Sequence, residues 1–108
     1  MLTETLDIAL LHLEVLPGKL ETNRQTLFLL ADQAAREGAR IVLAPELSVS
    51  GYLSDCRTKV APYVETLDGP TIIGLAEIAR QYQIHICAGF AERGPCNSWR
   101  PMAGATGR

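Results

Sequence analysis

The residues best suited to chemistry in this chain lie in one stretch, Val42-Leu43-Ala44-Pro45-Glu46-Leu47-Ser48-Val49-Ser50-Gly51-Tyr52. Pro45 has no N–H to give a neighbouring strand, so the apolar run ahead of it stops pairing there. It also biases Ala44 towards extended backbone. Glu46 is thereby carried past a strand end. Its neighbours are apolar or small, and no Lys or Arg lies between Arg40 and Arg57. Removing water from a carboxylate that has no cation beside it raises its pKa. A carboxylate tuned towards neutrality is what a general base needs. On these grounds Glu46 is the candidate catalytic residue. The same side chain can instead cap the following turn or pair with a surface arginine, and residue type and spacing leave that alternative open.

The other reactive residue types form no comparable constellation. Cys56 sits between Asp55 and Arg57. A neighbouring guanidinium lowers a thiol pKa, yet the setting reads as an exposed thiol without function. Lys59 reads as a solvated surface lysine, Cys87 as a small core residue within a strand, and Cys96 as part of an irregular tail. His12 and His85 both fall in predicted strands, and no Cys/His spacing of the zinc type accompanies them. No metal site and no cofactor are expected. Gly89-Phe90-Ala91-Glu92-Arg93-Gly94 has too few glycines for a phosphate loop, and no helical pattern follows it. Trp99 alone does not make a base-stacking platform.

The elements that would position Glu46 follow from periodicity. Leu6-Asp7-Ile8-Ala9-Leu10-Leu11-His12-Leu13 is a short, mostly apolar run of the kind buried in parallel sheets, and Pro17-Gly18 breaks it. From about 18 to 37, Leu20, Leu27, Leu30, Ala31, Ala34 and Ala35 recur at helical spacing, and Gly38 supplies a left-handed closing residue. Ile41-Val42-Leu43-Ala44 is a second strand, β-branched at its start. Asp68-Gly69-Pro70 opens a second helix with proline at its first position, and Ile72, Leu75, Ala76 and Ala79 form its stripe, to about Tyr82. Ile84-His85-Ile86-Cys87-Ala88-Gly89-Phe90 is a third strand. The order β-α-β-α-β implies an α/β fold with a largely parallel sheet. In such sheets ligands bind beyond the carboxyl ends of the strands, where Glu46 falls.

Composition bounds the function classes. A chain of 108 residues, 47% hydrophobic, suits one compact domain. A net charge of -2 argues against bulk electrostatic binding of nucleic acid, and no apolar run approaches the roughly 20 residues that span a bilayer. Asp7 interrupts the first apolar segment and the first basic residue is Lys19, so no secretory leader is expected. Three scattered cysteines suit reduced thiols in a cytoplasmic setting. Residues 1–93 hold all 12 acids and 8 of the 10 bases; residues 94–108 hold no acid, no Val, Ile or Leu, and five Gly or Pro. The expectation is a domain over 1–93 followed by an irregular tail over 94–108 that is disordered or loosely attached.

Ile41-Val42-Leu43-Ala44-Pro45-Glu46, followed by Ser50-Gly51-Tyr52, resembles the carbon–nitrogen hydrolase (nitrilase-like) family. The flanking elements agree in order: the opening strand, Pro17-Gly18 with Asn23 in the first helix, Leu67-Asp68-Gly69-Pro70, and Ala88-Gly89-Phe90-Ala91-Glu92-Arg93. The resemblance covers residues 6–93. It implies part of a four-layer α-β-β-α sandwich and a Glu–Lys–Cys triad that converts a small amide or nitrile to a carboxylate and ammonia. By position Glu46 matches the general base, and Tyr52 falls where relatives line the substrate pocket. The resemblance also admits a homo-oligomer, joined through helices outside the sandwich.

The family's Lys and nucleophilic Cys come later than Arg93, on strands this sequence does not contain. Asn97-Ser98 are followed by Trp99-Arg100-Pro101-Met102 where an apolar strand is expected. The expectation is therefore an N-terminal fragment, inactive alone, whose tail departs from the family through a frameshift, altered splicing or a gene-model error. Two other readings compete with it: a non-catalytic α/β binding module, and an unstable fragment whose uncovered sheet face is an association hazard.

Overall fold

A computed structural model describes residues 4–52 and 61–91, together with the backbone of 102–106. Three parallel strands carry the fold: β1 (Ile8–Leu10), β2 (Ile41–Leu43) and β3 (His85–Gly89). Helix α1 (Leu20–Arg36) connects β1 to β2, and helix α2 (Pro70–Tyr82) precedes β3 after a 3-10 turn at Ala61–Tyr63. The expected β-α-β-α-β order and parallel sheet are both present. The strands are shorter than their apolar runs, so His12 lies past β1 rather than within it.

Local chemistry accounts for the helix boundaries. Gly38 adopts φ 103 just past α1, a conformation costly for a residue with a Cβ. Pro70 opens α2 at its first position. Gly69, the residue before it, has no side chain to cap the helix, and Glu65 supplies the cap instead: its carboxylate accepts the Thr71 N–H at 3.0 Å and the Thr71 hydroxyl at 2.6 Å.

Both helices lie on the same face of the sheet. Leu27, Ala31, Ala34 and Ala35 of α1 and Leu75 and Ala79 of α2 are buried, as are Val42, Ile86 and Ala88 on the strands. Burying a side chain such as Leu27 stabilises the fold by about 2 kcal/mol. The register aligns Ala9 with Val42 and Val42 with Ile86. Because side chains alternate along a strand, the residues between them point the other way. Ile8, Leu10 and Leu43 are 54%, 67% and 37% exposed on that second face, and His85 and Cys87 are exposed with them.

The structure corrects one expectation. Cys87 is not a core residue: it sits between buried Ile86 and Ala88, and strand alternation turns its free thiol to the uncovered face. The described part of the tail is regular. Met102–Thr106 form β4, antiparallel to β3, with Ala88 opposite Ala103 and Ile86 opposite Ala105. Backbone groups on the outer edge of β3 supply this pairing, which needs no aliphatic side chain. Residues 94–101 of the tail, the boundary at 93, and Cys56, Lys59, Cys96 and Trp99 lie outside the described residues.

Candidate active site

The strand-ending role of Pro45 is visible in the hydrogen bonds. Ala44 makes the last β2-type donation, its N–H meeting the Cys87 carbonyl at 2.8 Å. Pro45 donates nothing, but its carbonyl accepts the Gly89 N–H at 3.2 Å and the Ser48 hydroxyl. The chain then turns sharply. Leu47 takes φ 51, a left-handed conformation uncommon for a residue with a Cβ. This turn brings Ser48 back to β3, where its N–H donates to the Gly89 carbonyl at 2.8 Å, and the Gly51 N–H closes onto the Leu47 carbonyl at 2.9 Å with φ 71.

The turn sorts its side chains. Ser48, Val49 and Ser50 point inward and are buried, whereas Glu46 stands on the outer side and is exposed. The dry niche predicted for Glu46 is therefore not formed by the described residues. Of the small and apolar neighbours that suggested it, Ser48, Val49 and Ser50 face the core. Among the described residues the side chain of Glu46 meets a phenol. Tyr52, itself 69% exposed, donates its hydroxyl to Glu46 Oε2 at 2.8 Å. Donating to a carboxylate makes the phenol harder to deprotonate. That bond, helped by some desolvation and by the carboxylate's charge, holds the Tyr52 hydroxyl above the ordinary tyrosine value.

Among the described residues no three His, Cys, Asp or Glu side chains gather as a metal site would require. No helix among them is long and apolar enough to cross a membrane. An open cleft of about 230 Å³ beside β1 is lined by Leu10, His12, Leu30 and Glu37 among others, and includes neither Glu46 nor Tyr52.

The profile of the carbon-nitrogen hydrolase family matches residues 7–103. The chain belongs to that family. The match continues past residue 93 and takes in the start of β4. A nitrilase of Pyrococcus abyssi is 34% identical over 65 residues, which is 59% of this chain and 25% of that protein. An N-terminal amidase has the same fold over 94% of this chain and 25% of its own, with 18% identity and a TM-score of 0.80. A carbon-nitrogen hydrolase superfamily protein of Xanthomonas campestris, whose crystal structure carries an arsenic adduct in the active site, gives 22% identity and a TM-score of 0.80 over 97% of this chain and 38% of its own. This chain thus spans about a quarter to two fifths of the length of these relatives. The partial nitrilase-like architecture expected from the sequence is present.

The strand-Pro-Glu element and Tyr52 were legible in the sequence and come together in space. Two polar residues that organise the surroundings were not singled out for a role. Asn23 is 3% exposed in the stripe that continues through Leu27 and Ala31. A lone amide on an otherwise apolar stripe is the signal that could have flagged it, because a buried amide needs partners. Glu65 carried no such signal, since its partners come from α1 and α2.

Proposed function

We propose that Glu46 is the general base of a carbon-nitrogen hydrolase that cleaves a small amide or nitrile. In this reading a cysteine thiolate attacks the substrate carbon, and Glu46 takes the thiol proton and passes it to the leaving nitrogen. A lysine stabilises the charge of the tetrahedral intermediate, ammonia or an amine departs, and water resolves the thioester. The observation that carries the reading is the position of Glu46 immediately past the carboxyl end of β2, within the matched span. Tyr52, hydrogen-bonded to that carboxylate, borders the substrate. The Lys and Cys belong to polypeptide beyond the matched stretch, so this chain alone does not turn over, and the rest of the sandwich covers the open face of the sheet and desolvates Glu46. Association between copies uses the outer helix faces, where Leu29 and Ile73 are exposed. The odd cysteine count and the free thiol of Cys87 support a cytoplasmic setting.

Two measurements test this. Ammonia release from a panel of amides and nitriles is expected to be nil for this chain. Reproducible turnover that Glu46→Gln abolishes would overturn the inactive-fragment reading and direct attention to Cys56 or Cys87. The nucleotide sequence around and beyond residue 94 is expected to encode the missing Lys and Cys in some frame. In the longer product Glu46→Gln is expected to lower kcat by about 10²- to 10⁴-fold. The exposure of Glu46 favours a second reading, a non-catalytic α/β binding module, and a longer product that binds an amide or nitrile of the panel but releases no ammonia from any of them would select it, whereas an unchanged kcat in Glu46→Gln would overturn Glu46 as the base.

A further inference from the structure

We infer that Asn23 is a positioning residue that holds the turn bearing Glu46 and Tyr52 against the first helix. The inference rests on the reading of Glu46 as the functional carboxylate and adds to it a device that fixes where that carboxylate stands.

The observation is a three-point clamp. The Asn23 amide nitrogen donates to the Leu16 carbonyl at 2.7 Å and to the Val49 carbonyl at 2.6 Å, while its amide oxygen accepts the Leu16 N–H at 2.9 Å. One buried side chain thus binds the segment after β1, the first turn of α1 and the turn after β2. Val49 is three residues from both Glu46 and Tyr52. A second contact runs parallel to the clamp. The Gly18 N–H donates to the Ser50 carbonyl at 3.0 Å, and Gly51 packs so closely on Pro17 that a Cβ would stand 3.2 Å from the Pro17 Cα. On its other side the turn is tied to β3 through Ser48 and Gly89. Without Asn23 the Val49 carbonyl would lose a buried donor, and the turn would keep only its β3 anchor and the Gly18 bond. A polar group left unsatisfied in that environment pulls the backbone towards water.

A helix-stabilising role alone would affect the whole fold. A positioning role affects Glu46 and Tyr52 selectively, and two tyrosines distinguish the cases. Tyr52 reports on the turn through its bond to Glu46. Tyr82 makes an equivalent bond to Asp32 between α2 and α1, at 2.8 Å, and is likewise held above the ordinary tyrosine value, chiefly by that bond. Tyr82 is therefore an internal reporter of the helix packing.

The experiment is a pH titration of the full chain labelled at the tyrosine ring carbons and followed by NMR. Glu46→Gln assigns the Tyr52 signal and gives the largest change to be expected there. In Asn23→Ala the Tyr52 titration is expected to move down towards that of Glu46→Gln, while Tyr82 stays where it is in the unaltered chain. An unmoved Tyr52 overturns the inference. If both tyrosines fall in Asn23→Ala, Asn23→Asp decides instead, since it keeps the acceptor for the Leu16 N–H and removes the donor to the Leu16 and Val49 carbonyls. A selective fall of Tyr52 there supports the inference, and a joint fall or no change overturns it. None of these outcomes depends on catalysis, so failure of the clamp is distinguishable from failure of Glu46 as a base, which the hydrolysis assay decides.

Discussion

Arg24 of α1 and Glu65, from the segment ahead of α2, meet 3.3 Å apart with side chains only 11% and 9% exposed. The pair does more than join two charges. Glu65 also receives the Thr71 N–H and hydroxyl, and Arg24 donates through Nε to the same Thr71 hydroxyl at 3.1 Å. The arrangement caps α2 from outside the helix and bolts α1 beside it. The backbone N–H of Glu65 then reaches the Ala91 carbonyl at 2.9 Å, linking the cap to the chain just past β3.

Removing Glu65 would leave a largely buried guanidinium with the exposed Glu21 as its one charged partner among the described residues and two Thr71 donors unsatisfied. Glu65→Ala is expected to destabilise the chain by about 2–4 kcal/mol. Glu65→Gln, which keeps an acceptor for the Thr71 N–H, is expected to cost about 1 kcal/mol. Urea midpoints at unchanged m-value check both. Equal losses in the two variants would show that the charge, rather than the cap, is what matters.

Alkaline pH should weaken the fold through Tyr52 and Tyr82. Both phenols donate to carboxylates in the folded chain and are held above the ordinary tyrosine value. A folded-state pKa above the unfolded one means that the fold binds the proton more tightly. The contribution is fully present below the unfolded tyrosine value and is lost as pH rises through the raised values. Thermal melts are expected to be level from about pH 8 to 9 and to fall over about pH 10 to 12. Replacing both tyrosines by Phe should flatten the part of that fall they cause. An unchanged slope in the double variant would mean that the two phenols do not bind their protons more tightly in the folded chain.

The features read from sequence are those set by a residue's own backbone chemistry or by a short period. Pro70 fixes a helix start because its ring imposes the angle and removes a donor that the first turn cannot use. Gly38 ends α1 for want of a Cβ, and Pro45 ends β2 for want of an N–H. What escaped depends on which surfaces meet. Strand alternation places Cys87 opposite in sense to Ile86, but only the seating of both helices on one face decides which of the two is buried. The surroundings of Glu46 escaped for the same reason: apolar neighbours in sequence are not neighbours in space once Leu47 turns the chain and Val49 faces inward. Likewise β4 pairs through its backbone, to which composition is blind.

Packing between α1 and α2 gives a prediction in which propensity and shape oppose each other. A Cβ built on Gly74 would overlap the Phe28 ring. Alanine is a better helix former than glycine by about 1 kcal/mol, but at this position it must displace an aromatic ring. Gly74→Ala is expected to destabilise the chain by about 1–3 kcal/mol. With Phe28→Ala already in place the same substitution is expected to stabilise it, by up to about 1 kcal/mol. A double-mutant cycle measures this change of sign. Additive effects would mean that the ring swings aside without cost.

The open face of the sheet gives the last prediction. Ile8, Leu10 and Leu43 are large aliphatic side chains presented to water beside one another, since Leu10 is in register with Leu43 and Leu43 with Cys87. Contiguous apolar surface of this kind drives association, and a charge on it opposes that association without disturbing the buried face, because alternate residues serve the two faces independently. In isolation the chain is expected to bind a hydrophobic dye and to sediment faster as its concentration rises. Leu10→Lys with Leu43→Lys should abolish both effects and change the melting temperature of the dilute chain little, because neither side chain is packed against a helix. A large loss of thermal stability in the dilute double variant would place these leucines inside a packed core. Persistent association in that variant would move the contact to the outer helix faces around Leu29 and Ile73.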